Sequence, residues 1–122
     1  MSFKLEFKED INLSDLAILT PKMGLLLIAV MQYCEQKNLQ CKITSLKSDR
    51  KNIKSISSTH ESGRAADLST RNWSKFEIDE FVFHFNTYFR NMGAISYSDG
   101  KPRAAVYHDA GHGAHIHLQV SP

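Results

Sequence analysis

"STHESGRAADLST", residues 58–70, is the stretch on which the reading of this chain turns. It sets His60 and Asp67 seven positions apart around Gly63 and runs into a short strand-like segment, "AADLS" (65–69). Successive side chains of a strand point to opposite faces, so Ala65, Asp67 and Ser69 share one face. Asp67 projects from that strand, and His60 comes from the loop ahead of it. Gly63 permits a sharp turn that folds His60 back toward Asp67. The small Ala65 beside Asp67 is expected to leave room for an ion and a substrate.

A second stretch answers the first. In "HIHLQV" (115–120) the same alternation puts His115, His117 and Gln119 on one face and Ile116, Leu118 and Val120 on the other. The aliphatic face is core, so two imidazoles point together into the opposite space. His112, three positions upstream, completes an H-x-x-H-x-H spacing. Catalytic zinc takes three protein ligands from His and carboxylate and keeps a fourth position for water. His60, Asp67 and one histidine of the C-terminal strand supply such a set.

Working outward, the remaining elements are an α+β pattern. A helix is predicted over Pro21 to Lys37, with Thr20 as N-cap and Pro21 at the first helical position. Its early turns are apolar on most sides (Leu25, Leu26, Leu27, Ile28, Val30), which predicts a central helix. A shorter helix is predicted in "NLSDLAIL" (12–19), capped by Ser14. A further helix is predicted from Ser74 to Asn91, with a stripe of Phe76, Phe83, Ile78, Val82, Phe85 and Phe89 and with Gly93 past its end. His84 lies within that stripe and reads as structural.

Strands are predicted in "CKITSL" (41–46), "AADLS" (65–69), "GAISYS" (93–98), "RAAVYH" (103–108) and "HIHLQV" (115–120). "SDGKP" (98–102) reads as a hairpin turn with Asp99-Gly100 at its tip, and the last three strands read as a meander. The expected fold is a single domain over residues 1–122, with a small, largely antiparallel sheet flanked by helices.

Composition narrows the function classes. The chain has 122 residues, 42% of them apolar and 23% charged. Such a chain can bury a core without a structural metal, so a metal site here would be functional. A formal charge of +2 argues against a nucleic-acid partner. The basic residues of "SLKSDRKNIK" (45–54) read as a solvated patch. Cys34 and Cys41 form no CxxC pair and are expected as two buried free thiols. The most apolar run, "MGLLLIAVM" (23–31), is far short of the roughly 20 residues that span a bilayer. "MSFKLEFKED" (1–10) lacks the apolar stretch of a secretory signal, so synthesis in the cytoplasm is expected.

These stretches resemble a known family. "SSTHESGRAADLS" (57–69) is similar to the S-x-H-x-x-G-x-A-x-D motif of the D-Ala-D-Ala carboxypeptidase and L-alanyl-D-glutamate endopeptidase zinc enzymes. "HIHLQV" resembles the H-x-H strand of the wider LAS-type fold, shared by lysostaphin-like enzymes and the hedgehog signalling domain. "ITSLKSD" (43–49) looks like the strand leading into the first motif, so the likeness covers about residues 40–120.

The resemblance implies a LAS/hedgehog-like fold with one Zn2+ per chain on His60, Asp67 and His117. It makes His115 the histidine that takes the water's proton or stabilises the developing oxyanion. The substrates it implies are peptide bonds of bacterial peptidoglycan, in the stem peptide or cross-link. It also implies action on the cell wall as a phage endolysin, a virion-associated enzyme or a protein exported by another route.

Two departures stand out. The carboxypeptidase branch places an acid three residues before the last zinc histidine, where this chain has Ala114. The spacing of His112, His115 and His117 instead looks like the murein endopeptidase branch, which puts His112 beside His115 as a second catalytic residue. Asp109 is the alternative acid or base. An arginine that binds a substrate carboxylate in the family is replaced by Ser48, leaving Arg50 or Arg64 for that role. The missing acid keeps a second expectation open, a LAS-fold structural or wall-binding module without catalysis.

Overall fold

The computed structural model describes residues 5–46, 62–96, 99–109 and 114–122. His60, His112 and Arg50, together with most of the basic patch, lie outside the described residues.

Helix α1 spans Pro21–Lys37. Its start is set by the Thr20 hydroxyl, which accepts from the Met23 N–H at 3.2 Å. Pro21 follows, and its missing N–H costs nothing in the first turn. The helix stops at Asn38, which turns into the left-handed conformation with φ at 57°, as helix ends commonly do. A 3-10 helix at Leu13–Ile18 precedes it, capped by Asn12, whose Oδ1 accepts from the Ser14 N–H at 3.1 Å. The cap is therefore Asn12 and not Ser14, because the side chain that accepts must stand ahead of the turn it closes.

Helix α2 spans Lys75–Tyr88, and a 3-10 turn at Arg90–Met92 follows it. Ser74 and Glu77 form a reciprocal capping box, with bonds of 3.1 and 2.8 Å.

The strands are β1 (Glu6–Phe7), β2 (Lys42–Ser45), β3 (Ala65–Ser69), β4 (Ala94–Ile95), β5 (Pro102–Arg103), β6 (Ala105–Asp109) and β7 (Ala114–Gln119). Among the described residues they form one sheet in the order β1-β2-β3-β7-β6 and a separate β4-β5 pair. Only β1 and β2 run parallel within the larger sheet. The fold is thus a small mixed α/β domain with a largely antiparallel sheet.

One face of that sheet packs against the helices. Ile43, Ala66, Leu68, Ile116, Leu118 and Val120 are fully buried there, with Met23, Leu26 and Val30 of α1 and Phe81 and Phe85 of α2. Each helix presents one side. Leu25 and Ile28 are 62% and 49% exposed, so α1 is not surrounded by protein as its composition suggested. Phe76 and Phe83, 73% and 71% exposed, fall outside the inward stripe of α2. They stand two residues from Ile78 and Phe81, which is about 200° around a helix of 3.6 residues per turn.

His84 is half-buried and stacks among Tyr33, Phe85 and Tyr88, with ring centroids 4.8, 4.9 and 5.0 Å away, in keeping with a structural place. Cys34 and Cys41 are buried free thiols.

The expected meander does not form. "RAAVYH" divides at Ala104, with its first residue in the β4-β5 pair and the rest in the main sheet. The Asn86 side chain of α2 holds the division. Its Oδ1 accepts from the N–H groups of Ala104 and Ala105 at 2.8 and 3.0 Å, and its Nδ2 donates to the Ala105 carbonyl at 2.8 Å. The chain can leave one sheet and enter another here because the buried backbone groups at the junction are satisfied.

Candidate functional site

The face of the sheet opposite the helices carries the polar residues. Strands β3 and β7 pair antiparallel with Asp67 directly across from His117 and Ser69 across from His115. Ile116 and Leu118 point into the core, so both histidines are carried to Asp67 by the period of two. Directly opposed side chains on one face lie about 5 Å apart at Cβ. That is short enough for an aspartate and an imidazole to meet.

They do meet. His117 Nδ1 lies 3.0 Å from Asp67 Oδ1, and His115 Nε2 lies 3.8 Å from Asp67 Oδ2. The Asp67 side chain is only 5% exposed, and those of His115 and His117 are 15% and 13% exposed. The Thr44 hydroxyl donates to the Asp67 carbonyl at 3.4 Å, adding a tie across β2 next to the register shift at Ile43/Ser45.

The hairpin β6-β7 brings in a residue that the spacing did not single out. His108 sits across from His115 in the register, and their ring centroids are 4.5 Å apart, with His117 at 6.0 Å. The signal was present: a short connection after "RAAVYH" makes His108 and His115 equidistant from the middle of residues 110–113. Gln119 was also given no role. Its amide reaches His117 Nε2 with Oε1 at 3.1 Å.

The other expected residues divide. Asp109 ends β6 with its backbone paired to Ala114, so His108 and not Asp109 occupies the register position opposite His115. Arg64 directs two of its five donors to the fold: Nε to the Ser62 hydroxyl at 2.8 Å and Nη1 to the Val120 carbonyl at 2.9 Å. Ala65 is 1% exposed and faces Gln119 across the strands. Gly63 adopts φ 72° and is pressed against the backbone of Ile18 and Leu19; where it directs His60 lies outside the described residues.

Among the described residues no three His, Cys, Asp or Glu side chains are arranged to hold a metal ion. The donor chemistry of the described part nevertheless suits zinc. A carboxylate oxygen and an imidazole nitrogen face each other at 3.0 Å on rigid strands, and both are zinc-ligand types. His60, the third expected ligand, belongs to the undescribed part, two residues before Ser62. Comparison with known protein families, curated proteins and solved structures finds no match to this chain.

Proposed function

We propose that the chain is a zinc-dependent peptidoglycan hydrolase that cleaves an amide bond of the stem peptide or cross-link. The observation that supports this most is the Asp67–His117 pair, set directly opposite in the register with donor atoms 3.0 Å apart. The order of the motifs along the chain, set out above, supplies the substrate class.

A bound zinc would polarise the scissile carbonyl and acidify its water. The chain's own residues do the rest. Asp67, His117 and His60 would be the protein ligands. His115 stands beside the pair with its side chain 15% exposed. Its Nε2 can accept a proton there and later return one to the leaving amine. His108 packs its ring against His115 and limits the positions that ring can take. Asp67 is buried, and such surroundings strengthen each of these interactions relative to water. No helix among the described residues is long and apolar enough to cross a membrane.

The test is a peptidoglycan zymogram paired with elemental analysis. Purified protein should carry about one zinc, as expected for a three-ligand site, and should clear the gel. Chelator should abolish clearing, and zinc should restore it. His115→Ala should retain zinc and lose clearing. Zinc-loaded protein that cleaves no peptidoglycan chemotype would sink the enzyme reading and leave a binding module.

A further inference from the structure

Gln119 lies on β7, two residues beyond His117 and 7% exposed. Its Nε2 donates to two backbone carbonyls, Ala94 at 3.1 Å and Arg103 at 3.0 Å. Those carbonyls belong to β4 and β5, where Ala94 and Arg103 are register partners. A carboxamide nitrogen only donates and its oxygen only accepts. Turning the amide over would set an oxygen against two carbonyl oxygens, so its orientation is fixed by the pair that holds it. Oε1 is thereby presented to His117 Nε2 at 3.1 Å. That ring nitrogen must then carry the hydrogen. Nδ1 lies 3.0 Å from Asp67 Oδ1, so without a cation that carboxylate competes for a ring hydrogen, whereas a cation on Nδ1 takes the place of any hydrogen there and leaves the one on Nε2.

We propose that Gln119 is a positioning residue that keeps the proton of His117 on Nε2 and aims the Nδ1 lone pair at the space shared with Asp67, where a divalent cation would be held. The assignment rests on the reading of Asp67 and His117 as metal ligands. It makes the β4-β5 pair part of the site through the carbonyls of Ala94 and Arg103. The arm is braced at both ends. Arg103 forks onto Asp99 with bonds of 2.7 and 3.0 Å, and the Gln119 N–H donates to the Ala104 carbonyl at 3.0 Å. Metal-ligating histidines generally hand their second ring hydrogen to such an acceptor, and losing it typically weakens metal binding about 10- to 100-fold.

The experiment uses Gln119→Met, which keeps the length of the side chain and removes its polar atoms. Val120→Ala, a buried change on the opposite face, serves as a control for lost stability. Long-range nitrogen–proton NMR of the zinc-loaded protein should show His117 with its hydrogen on Nε2, slow to exchange with water, in the parent chain. The same spectrum of Gln119→Met should show that hydrogen exchanging faster. Titration with cobalt(II) should show affinity reduced about 10- to 100-fold in Gln119→Met, with an altered visible absorption, and near-parent affinity in Val120→Ala. An Nδ1–H ring in the zinc-loaded parent, or cobalt binding by Gln119→Met within about twofold of the parent, far short of the loss typical of such partners, overturns the assignment. If the parent binds neither cobalt nor zinc, the metal reading falls and this assignment falls with it.

Discussion

Replacing Gly63 with alanine is expected to cost the fold about 3 kcal/mol, and the figure can be assembled from the contacts around it. Gly63 holds φ at 72°, in the left-handed region. A Cβ there costs roughly 1 kcal/mol. A methyl would also be driven into the carbonyl oxygen of Ile18, with Ile18 C at 3.1 Å and Leu19 Cα at 3.3 Å. These are backbone atoms, so no rotamer change relieves the clash. Relief requires residues 18–20 to move away, which breaks the 3.0 Å bond from the Thr20 N–H to the Gly63 carbonyl. That bond contributes about 1 kcal/mol. The same movement disturbs Thr20 as the cap of α1, worth about 1 kcal/mol more.

Urea denaturation followed by far-UV circular dichroism measures the total. For a chain of this length the loss corresponds to a melting temperature lower by roughly 10 °C. Gly63→Asn separates the two causes, since asparagine accepts the left-handed region but still carries a Cβ. It should recover no more than about 1 kcal/mol. A Gly63→Ala protein within about 0.5 kcal/mol of the parent, the scatter of an ordinary surface substitution, would refute the packing argument.

Two further predictions concern the scaffold. Asn86→Ala strips the partners from the buried N–H groups of Ala104 and Ala105 and from the Ala105 carbonyl. It should cost roughly 3 kcal/mol and speed hydrogen exchange at those two amides first. An Asn86→Ala chain with parental exchange at Ala104 and Ala105 would show that the junction is held some other way. The other prediction is pH-dependent. Burial, and to a lesser degree the Lys37 charge, holds the His84 imidazole below its ordinary value of 6.5, while Glu80 opposes the shift. The unfolded chain therefore binds that proton more readily. The contribution is intact above about pH 6.5 and is lost as pH falls toward the lower folded value. Urea midpoints should fall further in the parent than in His84→Gln between about pH 7.5 and about pH 5, a window that brackets the ordinary imidazole value. Equal falls would contradict this.

Much of the framework was legible because its signals are local. Thr20 and Pro21 mark the start of α1 by capping chemistry, and β3 occupies the 65–69 stretch from which the reading began. The faces of β3 and β7 followed from a period of two. Faces of helices were harder, because Leu25, Ile28, Phe76 and Phe83 are apolar yet exposed, and apolar content alone does not say which side meets the sheet. The division at Ala104 depends on Asn86, a side chain 18 positions earlier on another element, which no turn signal near Ala104 announces. The site was legible in the same proportion. Asp67, His115 and His117 were readable from alternation. That His108 opposes His115 was available from the symmetry of a short hairpin, whereas that Asp67 opposes His117 is a matter of long-range strand pairing, which spacing does not contain. His60 and His112 remain placed by sequence alone.

The two faces of β7 give the chain a safeguard that acts during folding. Ile116 and Leu118 alternate with His115 and His117 along the strand that pairs with β3. A slip of one residue in that pairing would turn two imidazoles into the apolar layer and two aliphatic side chains out. Such a misregistered chain forfeits the burial of Ile116 and Leu118, roughly 1.5–3 kcal/mol each. The hydrophobic layer thus proofreads the polar one: a molecule that has packed its core has already turned His115 and His117 to the face that carries Asp67. An insertion or deletion of one residue within β7 would erase the core and the site together, whereas substitutions confined to the polar face can reshape the chemistry while the fold stands.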